Sequence, residues 1–129
     1  MSIDLFPEPP RSLDSSRGLL EDCPNLEYWQ EDLLQDGGNI NVAGLLGGEP
    51  WTLLYCDNGH KEQELETYGY YLHSGATLGC HDYGTEVNPE WIEPLLRGMG
   101  FSPYRHEDFA ALAHPQDYPV SMTRFWKKT

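Results

Sequence analysis

No apolar run in the 129-residue chain approaches the ~18 residues that a membrane-spanning helix needs, so no span is expected. The N-terminus also lacks the basic start and apolar stretch of a secretory signal. Cysteine is scarce and odd in number. Cys23, Cys56 and Cys80 do not make a disulfide framework, and two of them sit in apolar strand-like runs. That usage predicts reduced, buried thiols in a cytoplasmic protein. Positive charge is scarce too: 8 Lys and Arg stand against 21 Asp and Glu, for a net charge of −13. An excess of that size disfavours nucleic-acid phosphates and anionic membranes and suits a basic protein partner. The chain has no nucleophile elbow, Walker loop, Cys-x-x-Cys pair or Gly-x-Gly-x-x-Gly. The glycine-rich Gly44 to Gly48 precedes an apolar run instead of following one, so it reads as a turn and not a phosphate cradle.

What is present is enough for a core. Hydrophobic residues make up 39% and aromatics 12% of the chain, a length suited to one domain, 1–129. Ten prolines and thirteen glycines divide it into short elements. Residues 1–23 read as a weakly ordered arm, with a strand-like Ser2 to Phe6 and a weak polar helix from Arg11 to Asp22. From Pro24 to Leu34 strand and helix spacings fit equally well. Ile40 to Leu46 is a short helix at best. Residues 50–127 are the best-defined core. Trp51 to Cys56 is a buried strand, and Lys61 to Leu72 an amphipathic helix with Leu65, Tyr68 and Leu72 inward and Glu62, Glu64 and Glu66 outward. Ala76 to Cys80 is a second buried strand. Pro89 to Met99 is a helix capped by Asn88, with Trp91, Ile92, Leu95, Leu96 and Met99 in one stripe. Strands over Phe101 to His106 and Val120 to Trp126, around a short helix or turn from Glu107 to Ala113, complete an α/β layered sheet.

The chemistry-bearing residues lie at two strand ends. Asp57 and His60 follow the first apolar strand, and His81 and Asp82 follow the second. In an open parallel sheet, ligands collect beyond the carboxyl ends of the strands, so both clusters would face one crevice. Two carboxylates with neutral donors suit Mg²⁺, Ca²⁺ or Mn²⁺, and histidine tilts the set toward a transition metal. Turns also require Asp, Asn and Gly, which explains the same residues without a metal. Lys61 is either a base, once desolvated, or a solvated lysine at a helix start. His73, His106 and His114 show no ligand spacing and read as surface or turn residues.

Leu53-Leu54-Tyr55-Cys56-Asp57-Asn58-Gly59-His60-Lys61, followed by Leu72-His73-Ser74-Gly75-Ala76 and Gly79-Cys80-His81-Asp82-Tyr83-Gly84, resembles the second half of class I S-adenosylmethionine-dependent methyltransferases. It is closest in flavour to small-molecule O-methyltransferases and the cephalosporin hydroxylase-like group. Gly75-Ala76 departs from the family's usual Gly-Gly. Trp91 to Phe101 resembles the helix and Gly-Phe step into the sixth strand, and Thr123-Arg124-Phe125-Trp126-Lys127 the last, antiparallel strand. Asn25 to Leu33 is similar to the third strand and its following acid, and Ile3-Asp4-Leu5 to the end of the second.

The resemblance implies a Rossmann-like methyltransferase sheet, mostly parallel with an antiparallel last strand. Matching begins at the end of the second strand, so the first strand and glycine-rich loop are expected to be missing, whether by a fragment or misplaced start, by re-paired strands or by dimerisation across the gap. It implies S-adenosylmethionine as cofactor, with Asp4 on the ribose, Asp32 and Leu33 beside the adenine, and Asp57 at the same site. In the metal-dependent subfamily Asp57 and Asp82, with His81, would hold a divalent cation such as Mg²⁺, and Lys61 would take a proton from a substrate hydroxyl. The expected activity is metal-assisted O-methylation of a small molecule, and the gap left by the first strand is one that a homodimer would cover. An acidic, catalytically inactive interaction module that keeps the fold is the main alternative, and a metal-dependent hydrolase a third.

Overall fold

A computed structural model of the chain describes residues 2–4, 28–30, 32–48, 52–112 and 122–129. The helix expected over 11–22, most of the arm over 1–23, and Cys23, Trp51 and His114 lie outside them. The chain divides into two compact units, Met1–Asn39 and Ile40–Thr129.

In the first unit β1 (Ser2–Asp4) and β2 (Tyr28–Gln30) pair in parallel, with Ser2 opposite Tyr28 and Asp4 opposite Gln30. The double reading of Pro24 to Leu34 thus resolves as strand at Tyr28–Gln30, where adjacent aromatics favour extended backbone. One 3₁₀ turn, Gln35–Gly37, follows. It ends where Gly37 and Gly38 take φ of 82° and 144°, a region glycine enters without steric cost.

The second unit begins with helix α1 (Ile40–Leu46), which buries Val42 and Leu46. Then come β3 (Leu53–Cys56), α2 (Lys61–Gly69), β4 (Thr77–Cys80), α3 (Pro89–Gly98), β5 (Phe101–Tyr104), α4 (His106–Ala110) and β6 (Arg124–Lys128). The four strands form one mixed sheet in the order β3-β4-β6-β5. β3 and β4 are parallel, while β6 is antiparallel to both β4 and β5. β3, β4 and β5 therefore run one way and β6 the other. The architecture is α/β, but the sheet is not mostly parallel in its ladders. The last strand enters between two earlier ones, so two of the sheet's three ladders are antiparallel.

The core lies on one face of this sheet. Cys56, Leu78, Cys80, Phe101 and Trp126 are buried there together with Leu65 and Tyr68 of α2 and Ile92 and Leu96 of α3. Helix α2 packs on β3 and β4, and α3 on β5. Full burial of each large apolar side chain contributes about 1.5–3 kcal/mol before entropy is counted. Asn88 caps α3 through its side chain, which accepts from the Glu90 amide at 3.0 Å, and Pro89 fills the first turn, as expected. Lys128 of β6 caps the other helix, donating to the Gly69 carbonyl at 3.0 Å and that of Tyr70 at 3.4 Å.

Three expectations need correction. Leu53 and Tyr55 are exposed, because they alternate with buried Cys56 onto the other face of β3, which lies at the edge of the sheet among the described residues. Leu72 is buried as predicted but follows the end of α2, which stops at Gly69. Glu64 does not point outward. It is buried beneath the end of β3, where Asn58 and the Cys56 thiol donate to its carboxylate.

On the opposite face, Tyr55 stacks on Phe125 at 5.8 Å between ring centroids, and Phe109 of α4 meets Phe125 at 4.9 Å. Gly79 makes that stack possible. A Cβ there would sit 2.5 Å from the Phe125 ring and 2.9 Å from that of Tyr55.

Candidate metal centre at the ends of β3 and β4

The parallel register assembles this site. Cys56 lies opposite Cys80, so the next residue on each strand, Asp57 and His81, occupies the same level. Adjacent strands lie about 4.8 Å apart, which brings the two side chains within reach of each other. The His81 amide donates to the Cys56 carbonyl at 3.2 Å and carries the ladder one step past the strand end.

Asp82 then turns sharply. Its φ is +58°, in the left-handed region that non-glycine residues seldom enter. Its carbonyl accepts from the Thr85 and Val87 amides at 3.1 and 3.0 Å and from the Thr85 hydroxyl at 3.0 Å. The turn swings the Asp82 carboxylate back toward His81, whose Nδ1 lies 2.8 Å from Asp82 Oδ1 and 3.7 Å from Asp57 Oδ1. One ligand atom from each of Asp57, His81 and Asp82 falls within 4.8 Å of the others. His60 does not join them. It is exposed and holds the N-cap position of α2 without a capping side-chain bond, its amide bonded to Asn58 Oδ1 at 2.9 Å.

Lys61 opens α2, and its ammonium lies 2.7 Å from Asp82 Oδ2 and 2.6 Å from Glu86 Oε2. Only 5% of the side chain is exposed, so this is not a solvated helix-start lysine. Burial works to lower its pKa, but the hydrogen bonds from Asp82 and Glu86 outweigh that and hold the ammonium above its ordinary value of 10.5. In this geometry Lys61 is a cation that fixes Asp82. The hydrogen bond from Lys61, against the cost of burial and with help from His81, holds the Asp82 carboxyl below its ordinary value of 3.8. Glu62, next on the helix, accepts from the Asn88 amide at 2.6 Å, so the first turn of α2 clasps both ends of the 82–88 loop.

Beneath the site, burial raises the Glu64 carboxyl, with the Asn58 and Cys56 hydrogen bonds opposing it. Burial likewise raises the Cys56 thiol well above its usual range and pushes Cys80 up to about 12. Both cysteines are free and buried.

The donor set of two carboxylates and an imidazole, open to solvent on the Asp57 side, fits a hard or borderline divalent cation. The remaining candidates belong to the first unit. Asp4 closes β1 opposite Gln30, Asp32 is exposed with its carboxylate accepting from the Leu34 amide at 3.0 Å, and Leu33 is buried. Sequence spacing missed Glu86 and Glu64; opposite charge 25 residues from Lys61 is the sole signal for the first. His106, expected at the surface, is half-buried and bonds the Phe125 carbonyl through Nε2 at 2.7 Å. His73 does lie at the surface, in contact with the Gly47 carbonyl.

No known protein family, curated protein or solved structure matches the chain. Among the described residues no helix is long and apolar enough to cross a membrane.

Proposed function

We propose that the chain is a class I methyltransferase-like domain whose strand-end corner holds a divalent cation and receives the hydroxyl of a small molecule. The observation that carries this reading is the convergence of Asp57, His81 and Asp82 beyond the carboxyl ends of two parallel strands. Two further features support it. β1 and β2 pair in parallel, as the second and third strands of such a sheet would, and the last strand is antiparallel to its neighbours.

Asp57, His81 and Asp82 would hold the cation, and its charge would make a nearby substrate hydroxyl easier to deprotonate. Asp57, the most exposed of the three, faces the incoming substrate. Lys61 fixes Asp82 and remains protonated, so the substrate proton would pass to solvent on the exposed Asp57 side and not to Lys61. Asp4, Asp32 and Leu33, the residues the resemblance gives to S-adenosylmethionine, belong to the first unit.

Isothermal titration of the chain with S-adenosylmethionine, with and without Mg²⁺, tests this. Heat that grows with Mg²⁺ and shrinks in Asp57→Ala is the expected result. No heat in either condition overturns the enzymatic reading. One observation favours a second reading, an acidic interaction module without activity. Both Asp82 oxygens already have partners within the chain, His81 on one and Lys61 on the other. A silent titration, with salt-sensitive retention of a basic partner, selects it.

A further inference from the structure

The Asp82–Tyr83 peptide is tied down well beyond the corner itself. Asp82 holds a left-handed backbone, which costs a non-glycine residue about 1 kcal/mol or more and persists only where neighbours over-determine it. The Tyr83 amide donates to the Met122 carbonyl at 2.9 Å, and Tyr83 pairs with Val87 in an isolated parallel bridge. The Tyr83 hydroxyl donates to Glu93 Oε1 in α3 at 2.9 Å. The same carboxylate accepts the Trp126 indole N–H, 3.3 Å from each oxygen. Trp126 is fully buried in β6 and cannot move without opening the sheet. Around this junction, His106 Nδ1 lies 3.8 Å from Glu93 Oε1, and the Arg124 guanidinium sits 5.1 Å over the Tyr83 ring. A carboxylate on α3 thus joins the loop that carries Asp82 to the sheet.

We propose that Glu93 is a positioning residue for the corner, acting through the Tyr83 hydroxyl to hold Asp82 in its left-handed conformation. The consequence for cation binding rests on the function proposed above; the mechanical role stands on the hydrogen bonds alone.

Amide exchange tests the mechanical role. Tyr83→Phe deletes one hydroxyl and leaves the ring. Exchange at the Thr85 and Val87 amides, both bonded to the Asp82 carbonyl, should quicken about tenfold, with the Leu78 and Trp126 amides unchanged. Glu93→Ala should quicken the same two amides, and because it also strips the Trp126 indole of its acceptor, the unchanged Trp126 amide is required of Tyr83→Phe alone. Glu93→Gln keeps an acceptor oxygen and should restore slow exchange. Unchanged exchange at Thr85 and Val87 in Tyr83→Phe overturns the proposal. Calorimetric titration of the same proteins with Mn²⁺ tests the consequence. Tyr83→Phe should bind about tenfold more weakly than the wild type, and equal affinity overturns the link to the site. A wild type silent to Mn²⁺ overturns the cation reading itself, while the exchange data still decide the role of Glu93.

Discussion

Replacing Lys61 with methionine isolates the ion pair at the corner. Methionine retains an unbranched stem of similar length, so the packing of this nearly buried position is kept and only the charge is lost. The ammonium makes two charge-assisted hydrogen bonds, at 2.7 Å to Asp82 and 2.6 Å to Glu86. Removing one partner of a fully buried pair costs about 3–5 kcal/mol, because it strands the other charge. Here the stranded groups are less confined. Glu86 is 61% exposed and returns to water, and Asp82 keeps its bond to His81. Loss of the ammonium also removes its own desolvation cost. A net loss of about 1–2 kcal/mol remains, and for a unit of this size it lowers the melting temperature by about 5–10 °C.

The pH profile carries more weight than the magnitude. Stability from the lowered Asp82 carboxyl is present above 3.8 and is lost as pH falls through its folded value beneath that. Stability from the raised Lys61 ammonium is present below 10.5 and is lost as pH rises through its folded value above that. Thermal melts followed by circular dichroism should therefore show a constant difference between wild type and Lys61→Met across neutral pH, closing at both extremes. A variant as stable as wild type at pH 7, or a difference that persists unchanged to pH 2, refutes the pairing.

Two further outcomes follow from the packing on the two faces of the sheet. Cys56 and Cys80 are buried, and burial raises both thiols, Cys80 to about 12. Mass-spectrometric mapping after treatment with a thiol reagent at pH 8 should find both unmodified in the native protein and labelled only at the rate of global unfolding; rapid labelling contradicts the packing. Gly79→Ala drives a methyl into the Tyr55–Phe125 stack, 2.5 Å from one ring, and should cost about 1–3 kcal/mol in urea unfolding. A neutral effect would mean that the rings do not lie across β4.

The sequence made local structure legible where neighbouring residues decide it. Asn88 and Pro89 mark the start of α3 because a cap needs only an acceptor and a fixed φ within one turn. The polar strand ends were legible for the same reason, and Asp57, His81 and Asp82 do meet. What depends on distant pairing was not. Lys61 reads as solvated or basic until Glu86, 25 residues on, is brought beside it. Glu64 falls on the charged face of a helical wheel, yet Asn58 and Cys56 reach it from the end of β3 and make its burial tolerable. Trp126 needs an acceptor for its indole, and periodicity gives no hint that Glu93 provides it. The apolar run ending at Cys56 suggests a strand buried on both faces; its place at the sheet edge follows from topology, and Leu53 and Tyr55, on the face away from Cys56, are exposed.

The insertion of β6 between β4 and β5 also dictates when this sheet can close. Among the described residues β5 bonds to neither β3 nor β4, so its ladder in the sheet depends on β6, a later strand. During synthesis, the segment through Tyr104 leaves the ribosome with β5 packed on α3 but lacking any strand partner, and with the inner edge of β4 bare. Both wait for residues 124–128 to be made and to clear the exit tunnel. A domain of this connectivity cannot fold strand by strand as it emerges, and its half-made sheet is open to wrong edge pairing for that interval. Stalling or truncation shortly before Arg124 would remove both antiparallel ladders of the sheet and leave the β3–β4 pair with β5 joined to it by no backbone hydrogen bond.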